Sequence, residues 1–211
     1  MKCKIALFSV WVWLCAQTVN GQFVSIEGGY LFTQFKGMEP FTNNNGGFQV
    51  GAAYSKSVKD SALYLKFGLL YQQYNGIGTI TYTNLINQPI LSYEKNQELY
   101  YLQLPCMLQY YLLQRNKLRP FIQTGLTYQL LLRAWQNPQR MNEPHNVTSS
   151  FNSHIFGYVA GGGLAFYLKP NMVLHFSYQY MGTLNSVQKN NTASFIQASA
   201  LQFGLSFALP K

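Results

Sequence analysis

Eight strand-like segments, joined by connections that alternate strictly between long and short, are the feature that most constrains this chain. Within each segment apolar and polar residues alternate with a period of two, which predicts strands with one apolar and one polar face. An even number of strands, with short turns at one end and long loops at the other, is typical of bacterial outer-membrane barrels. The sequence therefore predicts an all-β fold, an eight-stranded antiparallel up-and-down transmembrane β-barrel.

The strand boundaries follow from the alternation and from the turn residues between segments. The predicted strands cover residues 23–35, 48–58, 62–74, 99–113, 119–134, 154–169, 172–182 and 194–209. Short turns are predicted at 59–60, 114–117 and 170–171, on the periplasmic side together with both termini. Long loops are predicted to face outside at 36–47, 75–97, 135–153 and 183–193, with residues 79–83 extending a hairpin beyond the membrane. We also expect a bulge or kink at Pro105, because proline removes a donor from the strand ladder.

The scarcity of charge supports a membrane location. Charged residues make up 10% of the chain and aromatic residues 16%, whereas soluble domains usually contain about 25% charged residues. After the N-terminal segment no apolar run approaches the roughly 20 residues that a membrane helix needs. A barrel accounts for both observations, because half of each strand faces lipid and half faces a polar interior.

A secreted lipocalin-type barrel with an internal apolar ligand is the main soluble alternative. It requires the apolar face to point inward. The predicted inward face is instead rich in amides and hydroxyls: Gln103, Gln109, Gln123, Gln129, Ser177, Gln179 and Gln202. The pattern therefore argues against a lipocalin-type binder.

The N-terminus has the pattern of a secretory signal. Lys2 and Lys4 precede an apolar stretch from Ile5 to Ala16, and Val19 and Gly21 are small residues suited to cleavage after Gly21. We expect residues 1–21 to be a signal peptide and residues 22–211 to be the barrel domain, exported to the bacterial outer membrane. A retained membrane anchor is the alternative, and the shortness of the apolar run disfavours it. Cys106 would remain as the single cysteine, at a lipid-facing position.

The formal net charge of +9 favours a negatively charged partner. Lys and Arg are scattered and form no stripe, so nucleic acid is not expected as a partner. Anionic lipid headgroups, including lipopolysaccharide, are a simpler explanation for the excess of basic residues.

Four polar residues are predicted to point inward at similar depth: Glu27, Lys66, Gln123 and His175. An eight-stranded barrel is just wide enough for side chains to fill it, so these groups should interact with one another. We predict a structural polar cluster with Glu27 and Lys66 as its ion pair, because buried charges need partners whatever the function. A proton or substrate site is the alternative interpretation.

The sequence offers little support for catalysis, a metal site or a cofactor. His145, His154 and His175 lack the spacing of metal ligands. A Ser-His-acid constellation has few candidates among six acidic residues, and Ser150 and Ser153 are simply close to His154 in sequence. We predict a protein that is not an enzyme and has no cofactor, no catalytic residues and no metal ligands.

Aromatic residues cluster toward the predicted strand ends: Tyr71, Tyr74, Tyr100, Tyr128, Trp135, Tyr178 and Tyr180. Amphipathic rings prefer the level of the lipid headgroups, so this distribution is typical of an interfacial aromatic belt. An aromatic ligand groove remains an alternative for the rings nearest the loops.

Three segments resemble the PorT-like outer-membrane β-barrel family. They are Tyr100-Tyr101-Leu102-Gln103-Leu104-Pro105, which is similar to a Leu-x-x-Pro strand of that family, Pro120 to Gly125, and Gly161-Gly162-Gly163-Leu164. The resemblance implies an eight-stranded barrel assembled by the outer-membrane insertion machinery. It also implies that some relatives take part in secretion or gliding assemblies. One departure is the C-terminus, where Phe207 is followed by four further residues and the usual terminal aromatic signal is displaced.

Together these observations predict a protein that anchors and displays external loops or contacts envelope partners. The expected partners are outer-membrane lipid and lipopolysaccharide, the insertion machinery, and envelope or secretion-complex proteins. Membership of a secretion or gliding assembly is the alternative within the membrane class.

Overall fold

Long antiparallel strands dominate the computed structural model, which describes residues 21–38, 43–59, 62–83, 89–113, 117–138 and 145–210. The strands are β1 (Gln22–Lys36), β2 (Asn43–Lys59), β3 (Leu63–Thr83), β4 (Pro89–Tyr111), β5 (Leu118–Pro138), the two-residue β6 (His145–Asn146), β7 (His154–Lys169), β8 (Met172–Thr183) and β9 (Phe195–Ala208). A 3₁₀ turn at Thr148–Ser150 follows β6. No helix in the described ranges has the length and apolar character needed to cross a membrane. The predicted leader lies outside the described residues, except for Gly21.

The long strands form a closed ring, because β1 pairs with both β2 and β9 and β4 pairs with β5. Each pairing is antiparallel and joins long strands that follow one another in sequence, apart from the closing pair β1–β9; β5 pairs with β7 because the intervening β6 has only two residues. The stagger of the ring is found by stepping from each residue to its partner on the next strand. Starting at Gln129 on β5 and passing Glu27 on β1, these steps return to β5 at Arg119, ten residues from the start. Such a stagger means that the strands are strongly tilted. The predicted fold class is confirmed.

The outer wall of the ring is apolar, as the alternation predicts. Large hydrophobic side chains such as Ile26 and Leu126 are 64% and 65% exposed there. Their strand neighbours Glu27 and Thr127 are buried, because successive side chains of a strand point to opposite faces. This distribution argues against the lipocalin-type alternative and suits contact with lipid.

The interior is layered, with apolar side chains at both ends and polar side chains between them. We call the end with the short connections the turn end and the opposite end the loop end. At the turn end Tyr64, Tyr111, Phe121, Ala165 and Val173 form one buried cluster. At the loop end a larger cluster includes Leu31, Phe35, Tyr74, Leu99 and Ile155. Phe151 and Val187, from the last two long connections, are 2% and 0% exposed and close this end of the interior.

The predicted second loop, residues 75–97, is wrong over most of its length. The ladder between β3 and β4 continues from Asn75↔Glu98 to Thr83↔Pro89, so this region is a long hairpin around residues 84–88, which lie outside the described residues. Asn75 and two nearby glycines indicated a loop from sequence. Gly76 instead makes room for the ring of Phe35, since a Cβ on Gly76 would lie 2.5 Å from Phe35 Cε2. Residues 79–83 extend the hairpin, as predicted.

Two other predicted loops, at 36–47 and 135–153, are too long, whereas one predicted short turn agrees with the structure. β2 begins at Asn43, so the first predicted loop ends inside this strand. β5 continues to Pro138, so the third predicted loop begins inside that strand. The turn at 170–171 is confirmed. Residues 60 and 114–116 of the other two predicted turns lie outside the described residues.

Pro105 produces no bulge, which is one of the two distortions that we expected there. Pairing between β3 and β4 keeps the same register on both sides of it, from Phe67↔Cys106 to Leu70↔Gln103, and only the two intervening pairs are missing. The proline ring lies against Gly68, where a Cβ would come within 2.9 Å of Pro105 Cγ. A glycine on the neighbouring strand therefore accommodates the ring, so that the strand need not shift its register.

Candidate functional site

The middle of the barrel interior contains a buried ion pair between β1 and β3. Lys66 Nζ lies 2.5 Å from Glu27 Oε1. Ser25 donates a hydrogen bond to the same oxygen over 2.8 Å, and Gln202 donates to Glu27 Oε2 over 2.7 Å. Glu27 is 4% exposed and Lys66 8%. Both carboxylate oxygens thus have partners, which is what a buried charge requires.

The strand pattern explains why these two residues meet. Alternation places Glu27 and Lys66 inside, and the register places Glu27 between Gly51 on β2 and Gly204 on β9. Neither glycine has a side chain to fill the space beside the carboxylate. A Cβ on Gly204 would already lie 3.1 Å from Glu27 Cγ. Lys66 can therefore reach Glu27 past β2, from two strands away.

The other two predicted members of the cluster lie nearby but make different contacts. His175 Nε2 is 2.5 Å from Ser206 Oγ, and its ring meets Phe121 edge-on at 6.2 Å. The Gln123 side chain is buried, and neither amide atom has a hydrogen-bond partner among the described residues. Glu27, Lys66, Gln123 and His175 nevertheless line a common internal cavity. This cavity has room for about one water molecule.

A second polar network lies nearer the loop end and was not predicted as a cluster. Tyr74 donates to Gln72 Oε1 over 2.7 Å, and Gln72 donates to Gln49 Oε1 over 2.8 Å. Gln129 reaches the Tyr74 hydroxyl at 3.4 Å. Alternation alone places Gln72 and Gln129 inside, but joining them to Tyr74 and Gln49 requires the stagger between strands, which the sequence does not display. The same is true of Gln202, the partner of Glu27.

The three histidines lie in three separate places. The exposed His154 stacks on Tyr128, with Nδ1 2.5 Å from the Tyr128 hydroxyl. His145 lies on β6 and His175 lies inside the barrel. The described residues contain no group of three or more His, Cys, Asp or Glu side chains that could hold a metal ion. The enclosed ion pair can hold charge and order the interior, but it has no space beside it for a substrate.

The outer surface near the loop end has the aromatic character expected from the sequence, with one correction. The rings of Tyr71 and Tyr100 lie 6.2 Å apart, and Arg133 lies over the ring of Trp135 at 5.0 Å. Tyr74 was assigned to this belt incorrectly: it is 1% exposed and belongs to the interior, because it comes three positions after the outward Tyr71 and an odd offset along a strand changes the face. Cys106 is a free, exposed cysteine on the outer face, as predicted.

Several solved outer-membrane barrels are similar to this chain. Neisserial surface protein A is 13% identical, with a TM-score of 0.58 over 92% of this chain and 100% of that chain. OprG from Pseudomonas aeruginosa is 14% identical, with a TM-score of 0.46 over 90% and 97% of the two chains. Ail of Yersinia pestis is 16% identical, with a TM-score of 0.41 over 88% and 98%. At such low identity the first of these supports the fold alone.

Sequence comparison gives the family. No curated protein sequence matches the chain. The sequence profile of the outer membrane protein beta-barrel domain matches residues 15–188, which is well over half of the chain. Together with the closed ring of eight long strands and its apolar outer wall, this match establishes that the chain belongs to the outer membrane protein beta-barrel domain family and is a barrel protein of the bacterial outer membrane.

Proposed function

We propose that this protein is a non-enzymatic barrel that anchors and displays the structure at its loop end on the cell surface. The observation that carries the proposal is the hairpin of β3 and β4. Pairing of β2 with β3 ends at Ile77, and pairing of β4 with β5 ends at Lys95. The rungs from Thr79↔Glu94 to Thr83↔Pro89 therefore extend beyond both neighbouring strands.

The length of these strands supports the same proposal. β3 has 21 residues and β4 has 23, whereas β8 has 12. About 9–11 residues suffice to cross a bilayer. The hairpin thus projects well past the membrane boundary, where it can meet molecules outside the cell.

Transport of solutes through the barrel is not supported by its interior. Leu31, Leu99 and Ile155 are fully buried at the loop end, and Phe121 and Val173 are buried at the turn end. The cavity around Glu27 has room for about one water molecule. Display of loops and contacts of the outer wall are therefore the better basis for function.

Cysteine labelling of intact cells tests the display proposal. Thr79→Cys places a thiol on the exposed surface of the projecting hairpin, and Lys169→Cys places one at the exposed turn end. Both are made with Cys106→Ala, so that the native lipid-facing thiol does not contribute. A membrane-impermeant maleimide should label the hairpin position in intact cells and the turn position only after lysis. The reverse pattern would overturn the proposed orientation, and absence of hairpin labelling in a folded, heat-modifiable barrel would overturn display.

The predicted export signal forms part of the same proposal. Residues 1–21 direct export and are removed after Gly21, both termini face the periplasm, and the insertion machinery recognises the C-terminal strand ending near Phe207. N-terminal sequencing of the protein purified from outer membranes is expected to begin at Gln22. A sequence beginning at Met1 would contradict the cleavage.

Membership of a secretion or gliding assembly is the second candidate, and the PorT-like segments are the observation that favours it. Their most distinctive residue, Pro105, has a structural role against Gly68, so the segments support a barrel more directly than an assembly. Deleting the gene and measuring proteins secreted into the medium separates the two candidates. Unchanged secretion would leave display as the supported candidate. Loss of secretion that the wild-type gene restores would favour membership of the assembly.

A further inference from the structure

A β-bulge on β5 turns a cation toward the lipid at the loop end of the barrel. Tyr100 pairs with Arg133 while the next residue, Tyr101, pairs with Leu131, so Leu132 is an extra residue. Before the bulge the odd-numbered residues of β5 face inward, as the buried Gln129 and Leu131 do. Continued alternation would place Arg133 inside. After the bulge Arg133 is exposed on the outer wall.

The position of this cation matches the edge of the hydrocarbon layer. Arg133 lies among Tyr71, Tyr100 and Trp135, which together with Leu132 line a shallow outward recess that we call the rim patch. Aromatic rings of this kind mark the headgroup level. An arginine is strongly unfavourable at the midplane of a barrel exterior but is tolerated near the interface. The bulge therefore brings a positive charge to the level where lipid phosphates lie.

The guanidinium is available for an anion. Its central carbon lies over the Trp135 ring, 5.0 Å from the centroid, and the described residues provide no carboxylate oxygen in an ion pair with it. The nearest acidic neighbour along β4, Glu98, accepts a hydrogen bond of 2.5 Å from the Tyr100 hydroxyl. Arginine presents planar, paired donors that match phosphate oxygens, and stacking on an indole leaves those in-plane donors unused.

We propose that the rim patch binds a phosphate group of lipopolysaccharide in the outer leaflet, with Arg133 as the phosphate ligand and Trp135, Tyr100 and Tyr71 as the wall of the recess. The Arg133 guanidinium selects an anionic headgroup, while the Glu98 carboxylate beside the patch is held by the Tyr100 hydroxyl. The position beside the lipid-facing wall selects a lipid over a soluble anion. The proposal rests on the loop end facing outward. Binding measured in detergent does not depend on that orientation, so its failure can be distinguished from failure of the display proposal.

Native mass spectrometry of the protein purified from outer membranes in detergent tests the site. The probes are bisphosphorylated lipid A, monophosphorylated lipid A, phosphatidylglycerol and inorganic phosphate. Arg133→Gln should weaken binding of bisphosphorylated lipid A about tenfold, the loss expected for one charge-assisted contact. Arg133→Lys should weaken binding less, because it keeps the charge and loses the planar fork. Lys36→Gln, which removes an exposed cation elsewhere at the loop end, should leave binding unchanged.

The outcomes decide between specific sources of the phosphate. Equal lipid A binding by wild type and Arg133→Gln would overturn the proposal, as would an equal loss on Lys36→Gln. Binding of phosphatidylglycerol as tightly as lipid A would overturn the choice of lipopolysaccharide, and competition by inorganic phosphate at equal concentration would overturn the choice of a lipid. A heat-dependent gel shift checks that each variant is folded, and Arg133→Lys provides the test if Arg133→Gln does not fold.

Discussion

The ammonium of Lys66 lies 2.5 Å from Glu27 Oε1 in the middle of the barrel, where neither residue is more than 8% exposed. Ser25 and Gln202 complete the hydrogen bonding of the carboxylate. The pair joins β1 to β3 across the interior, so it links strands that share no ladder. Because Gln202 lies on β9, the full set of contacts around Glu27 forms only when β9 closes the ring against β1.

Breaking the Glu27–Lys66 pair on one side should cost more than removing both charges. Glu27→Gln leaves the Lys66 ammonium buried, and Lys66→Met leaves a carboxylate with only neutral partners. Each single variant is expected to lose about 3–5 kcal/mol of unfolding free energy, and the double variant less than either single variant. Urea titrations in phospholipid vesicles measure these values. Lys36→Met, at an exposed position, should change stability by no more than about 0.5 kcal/mol, and additive losses in the double variant would show that the two residues are not coupled.

Two buried glutamines near this pair should respond in opposite ways to the same substitution. Gln202 donates to Glu27 over 2.7 Å, so Gln202→Met removes a hydrogen bond to a charged group and should cost about 1–3 kcal/mol. Gln123 has no partner among the described residues, so Gln123→Met should be neutral or stabilising. The unfolding midpoint in urea compares the two. An equal loss in both variants would mean that an internal water molecule satisfies the Gln123 amide.

The sequence predicts the faces of the strands far better than their ends or their pairing across the interior. Period-two alternation places Glu27, Lys66 and His175 inside because each strand has one lipid face and one interior face. It mistakes part of the β3–β4 hairpin for a loop because Gly76, which suggests a loop locally, is required by the ring of Phe35 on another strand. The stagger that brings Gln202 to Glu27 is a property of the closed ring. No segment contains that information by itself.

The contact between Gly68 and Pro105 provides a test of how the wall tolerates a proline. Gly68→Ala would place a Cβ 2.9 Å from Pro105 Cγ, and we expect a loss of about 1–3 kcal/mol in unfolding free energy. Gly28→Ala is the matched control on β1, since its Cβ would have only an ordinary contact of 3.6 Å with Gln49 O. Adding Pro105→Ala to Gly68→Ala should recover part of the loss. No recovery would mean that the clash does not cause the destabilisation.

A charge on the outer wall tests whether that wall is embedded in lipid. Leu126 is 65% exposed on β5, where it pairs with Cys106 and Tyr158 in the body of the ring, whereas Leu184 is 58% exposed in the connection after β8. If Leu126 lies near the bilayer midplane, Leu126→Arg should cost about 2–4 kcal/mol in vesicles, because the guanidinium would lie in hydrocarbon. Leu184→Arg should change stability by no more than about 0.5 kcal/mol, because this position lies beyond the wall. Both free energies come from urea unfolding of protein inserted in vesicles. Similar small losses at the two positions would place Leu126 outside the hydrocarbon layer and contradict the proposed span of the barrel wall.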